Sequence, residues 1–470
     1  MDGPFLCQGM VDRNQMPGAP ACTTAQVHGM LIASRPTFLL EGGGAVSTAS
    51  RAPDDDRTGA SDAGSAARAR NVILMIGDGM GAAHRFAGQL LTAGPDGRLV
   101  MDRLPILGQM STLCADPDSF VTDSAAAATA IATGARTVNG AVSVDPDGRP
   151  RSTLAELARR DGRSAGVVTT CQVTDATPAA FGAHVLHRSD QSEIARQFIH
   201  ESGLDVILGG GEAWWRPAGE RYRFDPALGD WAGRARGLHG DLVAAARAAG
   251  YPFAGDAADL AAAVADPATR RLLGLFAAQE LFVQSAEGEG DAYDPPVSLA
   301  AMTAAAIDVL SRNERGFFLM VEESAIDRMA HRNNAPLTLK GVLELDRAVE
   351  IALAFAEQDR ETLVIVTADH ETGGLAVAGS GDTPYPYEPG GGLLDTMLAH
   401  EDGPFPVAGS AYGFVVGWAT TGHTAAAVPV SAWGPGAELL AGFFDNTHLF
   451  SAIGGTMGLM SHGARAAASG

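Results

Sequence analysis

Three apolar runs in this chain each stop on an acidic residue: NVILMIGD at Asp78, GFFLMVE at Glu322 and TLVIVTAD at Asp369, with His370 directly after. Runs of this kind, without polar alternation, predict strands buried on both faces as in a parallel sheet. Such sheets bind ligands beyond the carboxyl ends of their strands. Carboxylates are rarely buried there unless paired or bound to metal. The pattern therefore predicts a charged, metal-loaded site along one edge of an α/β sheet.

The rest of the chain supports that architecture. After NVILMIGD comes a helical stretch around AAHRFAGQLL, then a strand in MDRLPILGQMSTL and a turn into VTDSAAAATAIATGA. SAGVVTT and LDVILGGG read as strands, with the amphipathic DQSEIARQFIHESG between them. Residues from about Asp241 to Leu281 read as alanine-rich helices joined by short loops. VSLAAMTAAAIDVLSRN is a helix feeding GFFLMVE, and LELDRAVEIALAFAEQ is one feeding TLVIVTAD. Repeated βα units predict an α/β sandwich with a central, largely parallel sheet flanked by helices.

Charge narrows the partners. A formal net charge of −22 over 470 residues argues against nucleic acid or an anionic membrane, since both require a basic surface. No run approaches the roughly 18 apolar residues of a membrane span. An acidic protein that binds an anion must reverse its own field locally, with metal or arginine. Lys340 is the only lysine, so nearly all basic charge is arginine. Cys7, Cys22, Cys114 and Cys171 lack CxxC spacing; Cys114 and Cys171 lie near strand ends and read either as a pair or as buried free thiols. Residues 1 to about 70 mix Gly, Ser, Ala, Asp and Arg without period and read as a disordered leader. Its apolar stretch from Met30 is broken by Arg35 and Pro36, which does not make a convincing secretory signal.

Particular side chains then suggest chemistry. Asp123 and Ser124 precede AAAATAIA, so the Ser124 hydroxyl is placed at a helix N-terminus, where an alkoxide or phosphate is favoured. The plainer alternative is that one of the two simply caps the helix. In VEESAIDRMAH, Asp327 and His331 lie four apart, on one face of a helix, a spacing suited to a shared metal. An exposed pair on a helix surface is the alternative. Asp369 and His370 can serve one metal only if the strand has already ended, as the following ETGG suggests. His423 in TTGHT reads as a loop histidine, usually structural or solvated; but a catalytic zinc needs three protein ligands and an open position, and His423 is the best candidate to join Asp327 and His331.

Taken in order, GDGMG at Gly77 to Gly81, TDSAAAATA from Thr122, TGARTVNGAVSVD, TDATPAAFGAHVLHR, VEESAID, TADHETGG and GHT resemble the alkaline phosphatase family. The resemblance runs from about Asn71 to Leu459. It implies a three-layer α/β sandwich that hydrolyses small phosphate monoesters through a phosphoserine on Ser124. It further implies two zinc ions and one magnesium: Asp327, His331 and His423 around one zinc, Asp78, Asp369 and His370 around the other. Asp78, Thr177 and Glu322 would face magnesium, with Asp175 in its outer shell. Arg188 would grip phosphate. Arg328 stands where many relatives carry histidine or another residue, which predicts altered phosphate affinity. Residues 71–470 are expected to form one catalytic domain with a Gly- and Pro-rich insertion at about 379–412. A homodimer and a periplasmic or secreted location are implied by resemblance alone. A phosphodiesterase with the same two-metal core and a silent phosphate- or metal-binding protein are the competing readings. Sulfatase is disfavoured, because Ser124 is followed by alanines and lacks a CxPxR or SxPxR context.

Overall fold

The computed structural model describes residues 68–224, 233–283, 292–379 and 402–460. The expected leader lies outside the described residues up to residue 67, as do Cys7, Cys22 and most of the insertion expected at 379–412. In chain order the strands are β1 Asn71–Gly77, β2 Ile106–Ser111, β3 Ser164–Gln172, β4 Val206–Gly210, β5 Phe253–Ala254, β6 Leu272–Leu275, β7 Phe317–Glu323 and β8 Thr362–Thr367. They continue with β9 Glu371–Thr372, β10 Ala376–Gly379, β11 Phe405–Pro406, β12 Gly413–Gly417, β13 His423–Thr424, β14 Val428–Trp433 and β15 Gly442–Asp445.

Ten of these make one sheet in the order β15-β2-β14-β8-β1-β7-β3-β4-β6-β5. Every neighbouring pair is parallel except those of β14, which runs against both β8 and β2. The central strands β1, β3, β7 and β8 are buried along their whole length. Burying an aliphatic side chain such as Ile73 or Leu74 stabilises by about 1.5–3 kcal/mol, so these fully buried runs contribute strongly to the core.

Helices cover both faces. They are α1 Ala82–Ala93, α2 Ser124–Thr133, α3 Leu154–Arg160, α4 Ala176–Ala179, α5 Gln191–His200, α6 Leu242–Ala248, α7 Ala257–Ala265, α8 Leu299–Ser311, α9 Ala325–Ala330, α10 Ala335–Asp359 and α11 Thr447–Thr456. α10 packs on α1, α8 and α9, while α2 packs on α4 and α11. Neighbouring residues of β7 show that these groups lie on opposite sides: Phe317 meets Phe355 of α10, whereas Phe318 stacks on Phe181 beyond α4. This is the period-two alternation of a strand, and it makes the three-layer sandwich.

Two local readings need correction. The segment from Asp241 to Leu281 is not purely helical; it adds β5 and β6 to the sheet edge. Both strands are short, two and four residues, too brief to show a period of their own. The strand expected from MDRLPILGQMSTL begins only at Ile106, because Met101–Arg103 forms a 3-10 turn before Pro105. Cys114 and Cys171 are both free, the first half-buried and the second buried.

Candidate active site

Because β1, β7, β8 and β3 are adjacent and parallel, their carboxyl ends open onto one edge. Asp78 follows β1, Glu322 is the next-to-last residue of β7, Asp369 and His370 follow β8, and Asp175 follows β3. β8 ends at Thr367, so Asp369 and His370 are released from strand alternation and turn toward the same point. The GDG turn is built for close approach. Gly79 has φ of 73°, and a Cβ there would lie 2.6 Å from Thr372 Oγ1 and 3.0 Å from Asp327, a conformation and a space that favour glycine.

Ser124 is the first residue of α2, but the capping is done by Asp123, whose carboxylate accepts from Ala126 N at 2.9 Å. The choice between cap and free hydroxyl is thereby resolved by division of labour: Asp123 caps and Ser124 stays available. Its Oγ lies 3.2 Å from His370 Nε2. That nitrogen is 3.4 Å from Asp78 Oδ1 and 3.2 Å from Asp369 Oδ2, so Asp78, Asp369 and His370 form one tight group.

Asp327, His331 and His423 form a second. Asp327 Oδ1 is 3.3 Å from His331 Nε2 and 3.5 Å from His423 Nε2, and the two imidazole nitrogens are 3.1 Å apart. β13 delivers His423 by pairing with β9, which places it opposite Thr372. The far nitrogens are tied to backbone carbonyls, His331 Nδ1 to Thr421 O at 2.6 Å and His423 Nδ1 to Thr122 O at 2.8 Å. In the neutral rings this makes each Nδ1 the donor and leaves two Nε2 lone pairs facing each other, an arrangement a cation satisfies. The second rings of the two groups touch as well: His370 stacks on His423 at 3.6 Å between centroids.

Electrostatics agree with a site built around positive charge. Burial, then the neighbouring Asp369, pushes Asp78 well above the ordinary carboxyl range. Burial and Asp327 raise Asp369 to about 6, and burial raises Glu322 to about 8. Burial also holds His370 neutral, well below its ordinary value. Three buried oxygens, Asp78 Oδ1, Asp369 Oδ2 and Thr177 Oγ1, are without a hydrogen-bond partner, although Thr177 is near enough to Glu322 to favour its ionised form. Crowded acids with unsatisfied oxygens are what metal coordination would relieve. The ligand chemistry therefore fits zinc in both mixed carboxylate–imidazole groups and magnesium at the oxygen-only set of Asp78, Thr177 and Glu322.

A cavity of about 300 Å³ opens over Ser124, with Arg188, Arg328, Asp327, His331 and His423 in its walls. A larger apolar cavity of about 450 Å³ beside Phe276 and Phe282 contains none of these groups. Asp175 organises the cationic wall. Its Oδ1 accepts from Arg188 at 2.8 Å, and its Oδ2 accepts from Arg328 and from Cys171 Sγ, the latter at 2.9 Å. Arg188 also reaches Asp123 Oδ2 at 3.3 Å. The arginines hold Asp175 far below the ordinary carboxyl range despite its burial. Sequence reading expected Asp175 in the outer shell of magnesium; the contact it makes here is the aiming of both guanidinium groups.

Several participants escape sequence reading. Thr169 donates to Glu322 Oε2 at 2.5 Å, and Thr372 donates to Asp327 Oδ1 at 2.5 Å. Thr169 had no local signal, since its partner is 153 residues away. Thr372 sat in the ETGG motif but read only as part of a turn.

Known proteins give this arrangement its class. The family model described as alkaline phosphatase matches residues 69–387. Streptomycin-6-phosphate phosphatase from Streptomyces griseus is 38% identical, over 84% of this chain and 91% of its own length. An alkaline phosphatase from Escherichia fergusonii is 35% identical, over 83% of this chain and 86% of its own. The structure of alkaline phosphatase from the Antarctic bacterium TAB5 superposes with a TM-score of 0.65 at 29% identity, covering 84% of this chain and all of that one. The chain belongs to the alkaline phosphatase family. It is an enzyme of the metal-dependent phosphomonoesterase class that this family defines.

Proposed function

We propose that the chain hydrolyses phosphate monoesters in two displacements, through a phosphoserine on Ser124, with two zinc ions and one magnesium resident. The observation that carries this reading is the position of Ser124 Oγ: it stands 3.2 Å from His370 Nε2, at the floor of a cavity walled by Arg188 and Arg328. Asp78, Asp369 and His370 would hold one zinc, Asp327, His331 and His423 the other, and Asp78, Thr177 and Glu322 the magnesium. When bound, these ions would supply Lewis-acid neutralisation of charge on the attacking and departing oxygens. A variant of the TAB5 enzyme has been solved with Mg bound in its M3 site, which supports the third position.

Arg188 and Arg328 bind and orient the phosphoryl oxygens; the planar fork of arginine suits two oxygens at once. The positive end of α2 favours ionised Ser124. Its hydroxyl proton passes to solvent as Oγ attacks phosphorus in line, the bond to the substrate alcohol breaks, and the departing alkoxide takes a proton from solvent. Water then cleaves the Oγ–phosphorus bond, which restores the hydroxyl and frees inorganic phosphate. Burial lowers the basicity of His370, so it holds its place beside Ser124 rather than taking the hydroxyl proton.

The same reading takes residues 71–470 as one catalytic domain, working as a homodimer in the periplasm or outside the cell. The named substrate of the Streptomyces griseus relative, streptomycin 6-phosphate, makes aminoglycoside phosphates one substrate class to assay beside simple aryl monoesters. The test is metal content measured with monoester and diester hydrolysis, before and after chelation, on wild type and Ser124→Ala. Monoester turnover lost on chelation and restored by zinc with magnesium, phosphate trapped on the wild type alone, and no turnover by Ser124→Ala are expected. Turnover by Ser124→Ala near the wild-type rate would sink the phosphoserine route, and a preference for diesters would point to a phosphodiesterase.

A further inference from the structure

Beside Glu322 stands a second carboxylate, Glu323, with none of its surface exposed. Strand alternation sends the two to opposite layers: Glu322 lies on the side of Phe318 and α4, Glu323 on the side of Phe317 and α10. Adjacent threonines of β3 meet them in turn, Thr169 on Glu322 and Thr170 on Glu323, the second at 2.8 Å. Glu323 then gathers the start of α9. Its Oε1 also accepts from Ala325 N at 3.0 Å, and Thr170 Oγ1 accepts from Ser324 N at 2.9 Å. Its Oε2 accepts from the hydroxyl of Tyr293 at 2.5 Å.

Tyr293 is held in turn by the chain's only lysine. Lys340 Nζ, on α10, donates to the Tyr293 carbonyl and lies 5.5 Å from the centre of its ring. Phe282 meets the same ring edge-on, with Ala325 and Met329 of α9 in the same apolar cluster. α9 is only six residues long, too short to hold a position through its own hydrogen bonds. Its anchors fix it, and it carries Asp327 and, at its end, His331.

We propose that Glu323, backed by Tyr293 and Lys340, is a positioning residue for the zinc site of Asp327, His331 and His423. Loss of its carboxylate frees the Ala325 amide and the hydroxyl of Thr170, the group that accepts from Ser324 N, and lets the ligand-bearing turn drift, while the Asp78, Asp369 and His370 group, anchored on β1 and β8, keeps its geometry. The inference rests on the two-zinc reading above.

The test uses the metal-free full chain, titrated with zinc against a chromophoric chelator, for wild type, Glu323→Ala, Glu323→Gln and Tyr293→Phe. Removing an outer partner of a ligand set weakens metal by about 10–100-fold; that loss is expected at one zinc site of Glu323→Ala and not at the other. Glu323→Gln, whose amide oxygen still accepts from Ala325 N, should recover most of it. Tyr293→Phe removes a single hydroxyl and gives a smaller loss, so it carries the test if Glu323→Ala does not fold. Two unchanged sites in folded Glu323→Ala, or in Tyr293→Phe in its place, overturn the proposal, as does equal weakening of both sites, the mark of a general loss of structure. A wild type that binds no zinc overturns the two-zinc reading first and this inference with it.

Discussion

At Arg328 and Asp175 a single carboxylate serves two guanidinium groups. Phosphate entering the cavity must compete with Asp175 for both, so grip on product depends on how many arginines can turn to it. A hydrogen bond to a charged group is worth about 1.5–3 kcal/mol. Arg328→Ala is therefore expected to raise the inhibition constant of inorganic phosphate by about tenfold or more, measured by product inhibition; unchanged or tighter inhibition would reject a phosphate contact. Gly79→Ala should cut activity sharply, because the new Cβ meets Thr372 and Asp327 at a backbone angle alanine resists; activity assayed beside the melting temperature separates this from unfolding. The strand-end carboxylates were readable in the sequence because burying them is costly unless they are paired or bound to metal; His423, in a glycine-flanked loop, was readable only through the third ligand that Asp327 and His331 lacked. Asp175 was readable only as a neighbour of magnesium. Its pairing with Arg328 spans 153 residues, and nothing local announces such a contact.

The elements that carry the site were read best where their pattern was long. β1, β7 and β8 are uninterrupted apolar runs, and α2 is a run of strong helix formers closed by Gly134 in the left-handed region. β5, β6 and β13 were missed or read as loop, since two to four residues cannot display a period; their partners define them. α3 shows a further device. Thr153 and Glu156 form a capping box, and Glu156 also bonds His184 Nε2 at 2.9 Å. Burial opposes both charges, but the Glu156 bond holds His184 above its ordinary 6.5, and the His184 bond holds Glu156 below its ordinary 4.5. The His184 share is complete below 6.5 and is lost as pH rises through the raised value; the Glu156 share is complete above 4.5 and is lost as pH falls through the lowered one. His184→Gln is thus expected to lower the melting temperature most between pH 4.5 and 6.5 and less at alkaline pH. A loss independent of pH would refute the ion-pair origin.

For the whole molecule, charge is the governing property. A net charge of −22 repels a phosphomonoester dianion until it reaches the arginine-walled cavity. Screening shortens the range of that repulsion, with a Debye length of about 30 Å at 0.01 M and about 8 Å at 0.15 M salt. For an anionic substrate, kcat/KM should rise over that interval; for a monoester carrying several amines it should fall. Rates of both substrates that ignore salt would show that diffusion up to the site is not sensed. Among the described residues no helix is long and apolar enough to cross a membrane.

The lone reversed strand, β14, has a consequence for how the chain is made. Among the described strands it alone bridges β8 and the pair β2 and β15, yet it comes from residues 428–433, more than three hundred residues after β2 leaves the ribosome. Through most of synthesis β2 has no neighbour in the sheet, and the nascent chain must keep that edge from pairing with another. His423 emerges only just ahead of β14. Completion of the sheet and delivery of the last imidazole are thus nearly simultaneous, so a partly synthesised chain cannot assemble the His423 group and acquires it only as its final wall closes.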